Sequence, residues 1–305
     1  MPTSPFGLPG AWFRGNLHGH TTESDGTFTP AEYAAFYRGL GHDFTAVTDH
    51  RRITDMRAFS DPRFLCIPGV ELDGPGPGPA GCDVVALGIA DVPPAGELGS
   101  LQARLDAVRA RGGVAFVAHP YETGITAADL RAHDGYAGIE IWNTLSAVGW
   151  GKGLATVQWD EALASGRWVG GFATDDSHQR PEHGPDAGTA WIAVRAEALR
   201  TDAILAAIAD GRFYASTGPE IHDVRVERDP ETGGRIAVAR CSPCRRIFLL
   251  SDRGLGRGVQ SPAGRPITEA RRRLHPDATY LRVECVDDAG RTAWSNPILL
   301  ASPSA

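Results

Sequence analysis

Two imidazoles one residue apart, His18 and His20, end the first apolar run of the chain and lead into Glu23-Ser24-Asp25-Gly26. Strand side chains alternate between faces, so both rings leave the same side of an extended segment and can grip one metal ion. The theme recurs after later apolar runs, in Thr48-Asp49-His50, Gly69-Val70-Glu71, Ala118-His119-Pro120 and Thr174-Asp175-Asp176-Ser177-His178. Each stands where a strand should finish, which predicts one site assembled from strand ends. Imidazole and carboxylate with no nearby thiolate suit Zn, Mn or Fe. Candidates scattered this widely must converge by folding, which favours a catalytic site over a closed structural one. Glu71 could bridge two ions, and paired ions lower the pKa of a shared water and neutralise a developing oxyanion or phosphoryl charge.

The elements that must position these groups follow from periodicity. From about Arg14 to Pro219 short apolar runs alternate with amphipathic stretches, the pattern of βαβ units in a mainly parallel sheet or barrel. Strands are expected to end near His20, His50, Glu71, Leu87, His119, Asn143, Asp176 and Val194. Helices are expected from Pro30 to Leu40 after Thr29, from Leu98 to Arg111 before Gly112-Gly113, and from Thr201 to Asp210 before Gly211. Asp73 to Gly81, with four Gly and three Pro, reads as a loop. After Pro219 the runs 223–227, 235–239, 246–250, 280–286 and 297–300 are short, rich in Val, Ile and aromatics, and separated by turn-like pieces. They predict an antiparallel β-sandwich or sheet, giving an α/β domain over 1–219 and a β-domain over 220–305.

Taken together, His18-x-His20, Asp25-Gly26, Asp49-His50, Glu71, His119-Pro120 and Asp176-x-His178 resemble the polymerase and histidinol phosphatase (PHP) superfamily of metal-dependent phosphoesterases, over residues 14 to 219. The phrases from Gly211 to Pro219 and from Ala293 to Ile298 are similar to a subgroup that includes carbaryl-hydrolysing CehA/McbA-like metallohydrolases. The resemblance implies a distorted seven-stranded (β/α) barrel, TIM-like in outline, with two or three divalent ions (Mn, Zn or Fe). It implies that His18, His20, Glu71 and Asp176 hold the first ion, that Asp25, His50 and His178 hold another, and that Glu71 bridges to a further ion on His119. Many relatives add a His to that ion from a Gly-His-x-x-x-Leu-Gly phrase; here Asp83, in Gly81-Cys82-Asp83-Val84-Val85-Ala86-Leu87-Gly88, stands in its place and offers a carboxylate. The implied activity is phosphatase or phosphodiesterase chemistry by a metal-bridging hydroxide, with carbamate, ester or amide hydrolysis on the same ions as the alternative. A binding module with a relict site is the third reading, which loss of several ligands would have favoured.

Around this set, Arg51, Arg52 and Arg180 adjoin ligands and suit bidentate contact with a phosphoryl group. Asn143 ends a strand and could face substrate or cap the following turn. His183, on the loop after the last ligand, could protonate a leaving group. Asp49 and Asp175 point the other way on a regular strand, where they could orient an imidazole. His42, His133, His222 and His275 read as packing or surface residues, and the tryptophans as core or cavity wall. Cys241-Ser242-Pro243-Cys244 lacks the second Cys/His pair that a zinc ribbon requires.

The chain has 305 residues and a formal net charge of -7, with a sequence pI near 5.8. That balance, with no dense basic stripe, argues against a nucleic-acid partner; the resemblance implies a small-molecule phosphoester, carbamate or ester as the partner. No leader, lipidation signal or membrane span is read, and five scattered cysteines form no secreted disulfide framework. The expectation is a cytoplasmic enzyme, with a homo-oligomer left open.

Overall fold

The computed structural model describes residues 4–74, 81–252, 257–261 and 264–300. The Asp73–Gly81 loop therefore lies mostly outside the described residues. The strands of the first two-thirds are β1 (Ala11–Asn16), β2 (Phe44–Val47), β3 (Leu65–Leu72), β4 (Val84–Leu87), β5 (Val114–Val117), β6 (Gly138–Asn143), β7 (Gly170–Thr174), β8 (Trp191–Ala196) and β9 (Phe213–Ser216). After them come β10 (Ile221–Arg228), β11 (Arg235–Cys244), β12 (Arg246–Leu250), β13 (Arg257–Gln260), β14 (Ile267–Arg273), β15 (Tyr280–Val286), β16 (Thr292–Ser295) and β17 (Ile298–Leu299). One mixed sheet has the order β13-β12-β15-β16-β9-β8-β1-β2-β3-β4-β5-β6-β7, and β10-β11-β14 form a second.

Among the described strands, parallel ladders are confined to β1-β2-β3 and β5-β6-β7, with single parallel bridges at Gly19–Ser177 and His50–Glu71. β4 runs antiparallel to both its neighbours, and β8 runs antiparallel to β1. The sheet is thus less uniformly parallel than alternation of the sequence predicts. The link from β7 to β8 contains a short 3₁₀ turn, Pro181–His183, and no crossover helix, and a parallel connection needs such a crossover. The ladder is not a closed barrel either. β8 occupies the edge of β1 that β7 would need, so β1 and β7 meet only past their ends, through His20 N–H to Ser177 O (2.9 Å) and Asp176 N–H to His18 O (3.0 Å). Those two bonds fix the spacing between the His18/His20 segment and the Asp176/His178 segment.

Local chemistry explains the helices. α1 (Pro30–Gly39) opens on a capping box in which Thr29 Oγ1 accepts from Glu32 N and Glu32 accepts from Thr29 N, with Pro30 at the first position. It buries Tyr33, Ala34 and Tyr37, and Tyr33 donates to Ala46 O of β2 at 3.2 Å. α2 (Leu101–Ala110) is capped by Ser100 and buries Leu101, Leu105 and Val108. Four shorter helices, α3 (Pro120–Thr123), α4 (Ala127–Ala132), α5 (Thr144–Trp150) and α6 (Thr156–Ala164), precede α7 (Thr201–Ala209). The main core lies among Leu17, Val70, Val85, Phe116, Ile139 and Phe172, with Phe116 and Phe172 stacked at 4.4 Å. Truncating such a buried ring removes about 3–5 kcal/mol.

The C-terminal strands continue the main sheet through the β16–β9 pairing, and side chains on them tie it further to the core. Asn296 Oδ1 accepts from Gly171 N of the edge strand β7 at 2.8 Å, while its amide donates to Phe213 O at 3.0 Å. Arg282 of β15, 2 % exposed, makes a fork with Asp160 of α6 (2.6 and 2.5 Å) and a third bond to Glu284 (2.6 Å). A separate apolar cluster, including Val224, Ala239, Ile247, Leu281 and Val283, joins the second sheet to β12 and β15. Among the described residues no helix is long and apolar enough to cross a membrane.

Candidate metal centre

The ends of β1, β2, β3, β5 and β7 bring His18, His20, His50, Glu71, His119, Asp176 and His178 together, and the segments after β1 and before β4 add Asp25 and Asp83. Three main groups overlap, each with ligand atoms within 4.8 Å of one another: His18, His20, Glu71 and Asp176; His20, Asp25, His50 and His178; Glu71, Asp83 and His119; two further groups of the same spacing, His50 with Glu71 and Asp73 and His178 with His183 and Asp186, adjoin them. Glu71 lies between the first and third groups. Its Oε1 is 3.2 Å from both His18 Nε2 and His119 Nε2, and its Oε2 is 3.3 Å from His20 Nε2. His20 lies between the first and second, with Nε2 3.1 Å from Asp176 Oδ1 and Nδ1 3.7 Å from Asp25 Oδ1. His50 Nε2 and His178 Nε2 approach the same Asp25 oxygen at 3.6 and 3.3 Å. His119 Nε2 is 3.7 Å from Asp83 Oδ2.

Buried residues beside the groups set which nitrogen faces inward. His18 Nδ1 is 2.6 Å from Glu140 Oε1, which leaves Nε2 toward Glu71 and Asp176. His178 Nδ1 is 2.9 Å from the carbonyl of Asp176, and His50 Nδ1 is 2.6 Å from Asp73 Oδ1. A ring nitrogen fixed by a second partner in this way holds its tautomer and presents the other to a metal. Glu140 also accepts from Thr174 Oγ1 (2.6 Å), His119 N (2.8 Å) and Asn143 Nδ2 (2.8 Å), so one buried carboxylate braces three strands. Sequence reasoning missed it, although a lone acid inside Gly138-Ile139-Glu140-Ile141-Trp142 was the signal. Asp73 and Asp186 were missed as well. Asp186, fully buried, accepts from the backbone N–H of His178 and Gln179 and holds the last ligand loop; its Gly/Pro-rich surroundings carried no comparable signal.

The charges respond to this crowding. Burial alone would lower the His20 and His119 imidazoles, yet hydrogen bonds and charge from Asp176 and Glu71 push them up to about 9 and about 10 respectively. His18 moves the same way against the same desolvation. Glu71 and Asp176 fall well below the usual carboxylate range because the facing imidazoles outweigh their burial. Asp83, by contrast, is raised to about 6 by burial and by the Glu71 charge. Protons thus hold apart carboxylates that a divalent cation would hold equally well. Three buried nitrogens, His18 Nε2, His20 Nδ1 and His119 Nδ1, have no hydrogen-bond partner. Nitrogen and carboxylate donors in this number, with the unpartnered His18 Nε2 facing Glu71 and Asp176 and the unpartnered His20 Nδ1 facing Asp25, fit divalent cations of the Zn, Mn or Fe class.

The backbone is strained here too. Non-glycine residues with positive φ are Arg51 (52°), His119 (28°), Asp176 (53°) and Gln179 (52°), two of them in the groups and two beside them. Such conformations cost about 1–3 kcal/mol each and collect at functional sites.

The residues expected to contact substrate are already engaged. Arg51 pairs with Asp73 at 2.8 Å, Arg52 with Glu23, and Arg180 donates to Asp25 O (2.9 Å) and Asp25 Oδ2 (3.0 Å). Asn143 accepts from Ser146 N to cap α5 and donates to Glu140 and to Asp176 Oδ2 (3.1 Å). His183 is partly exposed, its ring 5.7 Å from that of His178. Neither Asp49 nor Asp175 orients an imidazole, contrary to the role considered for them. Asp49 gathers Thr21, Ser24 and Thr54, while Asp175 gathers Tyr37 and the N–H groups of Gly188, Thr189 and Ala190. Both tie loops to strand ends.

No family model and no curated protein matches the sequence. Among solved structures, the chain is similar to a two-domain protein from Bacteroides vulgatus ATCC 8482 described as containing a predicted PHP-like metal-dependent phosphoesterase, with 15 % identity, 95 % of each chain covered and a TM-score of 0.56. A protein from Bifidobacterium adolescentis ATCC 15703, provisionally named a metal-dependent phosphoesterase, overlaps 57 % of this chain and 90 % of its own at 16 % identity and TM-score 0.43. An amidohydrolase from Chromobacterium violaceum, with bound sulfate and no metal, overlaps 54 % and 87 % at 16 % identity and TM-score 0.40. The last two share too little of the fold to inform this chain. The first is similar in fold over nearly the whole chain, in keeping with a mixed α/β sheet that has a parallel part.

Proposed function

We propose that the chain is a metal-dependent hydrolase of the PHP superfamily, acting on a small phosphoester and using two or three divalent ions. The observation that carries this reading is the sharing of Glu71 and His20 among three ligand groups, which supports ions bound side by side. Ions held there would lower the pKa of a shared water and neutralise charge developing on the attacked group. The protein's own contributions are separable. His18, His20, Glu71 and Asp176 form the buried floor; Asp25, His50 and His178 form the more open side; His119 and Asp83 flank Glu71. Arg180 holds the Asp25 loop, and its half-buried guanidinium is of a type that would suit a phosphoryl oxygen. His183 stands beside His178, placed to donate a proton to a leaving group. In this reading residues 1–219 carry catalysis as an opened relative of a seven-stranded barrel, and 220–305 are a β-sandwich braced against it.

A second reading keeps the ions and exchanges the substrate for a carbamate, ester or amide. Its support is apolar surface near the rim: Trp150, 53 % exposed, lies 6.3 Å from the His183 ring, and Val148 and Tyr121 are also exposed. The described arginines around the site are each held by an acid or a carbonyl, which weakens the case for a converging phosphate clamp. Metal analysis of the purified protein, with Mn- or Zn-supplemented turnover of a matched aryl phosphomonoester, phosphodiester and carbamate, tests both. Phosphoester turnover lost in His20→Ala supports the first reading, carbamate or ester turnover alone moves the assignment to the second, and a protein that takes up no metal refutes both.

A further inference from the structure

A second cleft lies away from the ligand groups, on the outer face of β1, β8 and β9 where β10 passes. Alternation along β1 separates the two faces: Phe13 and Leu17 point into the core, and Trp12 and Arg14 point out. The cleft holds about 770 Å³ and is lined by Trp12, Arg14, Trp191, Tyr214, Thr217 and Glu220, among others. That volume is typical of a site for a small organic ligand. None of the residues in the three ligand groups lines it.

Its distinctive member is Arg14. The guanidinium lies flat on the Trp191 ring, 3.6 Å from the centroid, and among the described residues it makes no hydrogen bond and no ion pair; its Nε is buried and unpartnered. Most buried polar groups find a partner, and guanidinium is the group best shaped to take a carboxylate or phosphoryl fork. The acids nearby are spoken for. Asp43 accepts from the backbone N–H of Arg14 at 2.8 Å, and Glu220 lies 3.3 Å from His222 Nε2. Trp12 and the largely buried Tyr214 meet edge to face at 5.3 Å with Phe6 packed on both, and the partly exposed Trp12 carries most of this aromatic wall. Burial holds the Arg14 pKa below its ordinary value despite the facing charge of Asp175, Asp43 and Glu220, as expected of a desolvated cation without a direct counter-ion.

We propose that this cleft is a second ligand site, separate from the metal centre, for a small aromatic acid whose anionic group takes the free guanidinium of Arg14 and whose ring lies along Trp12 and Tyr214. The anion supplies the acceptors that Arg14 lacks, and the ring fits a wall already built of π faces.

The test is calorimetric titration of the intact protein with 1-naphthoate, and with acetate as the anion without a ring. Naphthoate binds one to one with acetate at least about tenfold weaker, and Arg14→Met weakens naphthoate by about tenfold or more, the scale of one charge-assisted fork. Chelator-stripped protein and His20→Ala retain the affinity, since the metal centre takes no part. Glu220→Gln, at an exposed position where folding is not at stake, removes a repelling charge from the cleft and tightens naphthoate. Loss of binding in His20→Ala or in stripped protein would assign the acid to the metal centre. Unchanged affinity in a folded Arg14→Met, unchanged affinity in Glu220→Gln where Arg14→Met does not fold, or no binding at millimolar naphthoate would each overturn the proposal.

Discussion

Two regions of this molecule bury charge, and they do so in opposite ways. At the join between α6 and β15, the buried guanidinium of Arg282 makes a fork on Asp160 and a third bond to Glu284, so each of its nitrogens has an acidic partner. At the strand ends, five imidazoles and four carboxylates crowd together, and three buried ring nitrogens have no partner. A saturated buried ion pair is architecture. A buried group left short of partners, held there by Glu140, Asp186 and strained backbone, is reserved for something that arrives later. Buried polarity is therefore a poor guide to function until each donor and acceptor has been accounted for.

Substitution of His20 should separate the regions most widely. His20→Ala removes the ring shared by two ligand groups, so turnover should fall by more than the roughly 100-fold expected for loss of a supporting partner. Metal content of the folded protein should drop with it. A His20→Ala enzyme with full metal and full turnover would make the cluster ordinary structure. Arg282→Met should do the converse: it strands Asp160 and Glu284 and destabilises the fold by about 3 kcal/mol, read as a lower denaturant midpoint, with metal per folded chain unchanged. If metal were lost as well, the contrast between the two regions would fail.

Glu140→Gln sharpens the same contrast at smaller amplitude. The amide preserves shape but not charge, and it puts a donor where a carboxylate accepts from His18 Nδ1, Thr174, His119 N and Asn143. Metal affinity should fall about 10- to 100-fold in chelator competition, with a loss of about 1–3 kcal/mol of stability from buried donors left facing the amide. An unchanged affinity would show that Glu140 serves only the fold.

Much of this could be read from the chain because ligands at strand ends leave a local mark. His18-x-His20 and Asp176-x-His178 satisfy both the period of a strand and the chemistry of a site. Boundaries of β12 and β15 were equally legible, since apolar runs between turns have few alternatives. What stayed hidden depends on pairings distant in sequence. Nothing local to β8 says that it will lie antiparallel against β1 and keep the ladder from closing. The short helices α3 to α6 lack enough turns to show a period, and β9, β14 and β16 take their place from partners far along the chain. Arg51, Arg52 and Arg180 look available in sequence because the acids that hold them arrive from other loops.

The smallest expected effect, a pH dependence, tests why the two regions differ. In metal-free protein His20 and His119 are raised to about 9 and about 10 in the folded state by facing carboxylates, against about 6.5 when unfolded. For a raised imidazole the stabilisation is complete below the unfolded value and is lost as pH climbs through the folded one. Between roughly pH 6.5 and 10 the folded state binds more protons than the unfolded state, so stability falls with rising pH. Chelator-treated protein should accordingly melt at progressively lower temperature from pH 6.5 to 10. Metal-loaded protein should melt at nearly constant temperature over the same range, because bound ions replace the protons and the ligands stay deprotonated. Arg282, raised above its ordinary value by Asp160 and Glu284 despite its burial, keeps its charge through that window and contributes equally to both curves. Parallel curves for the two forms would mean that the imidazoles do not exchange protons for metal, and would return the cluster to the same category as Arg282.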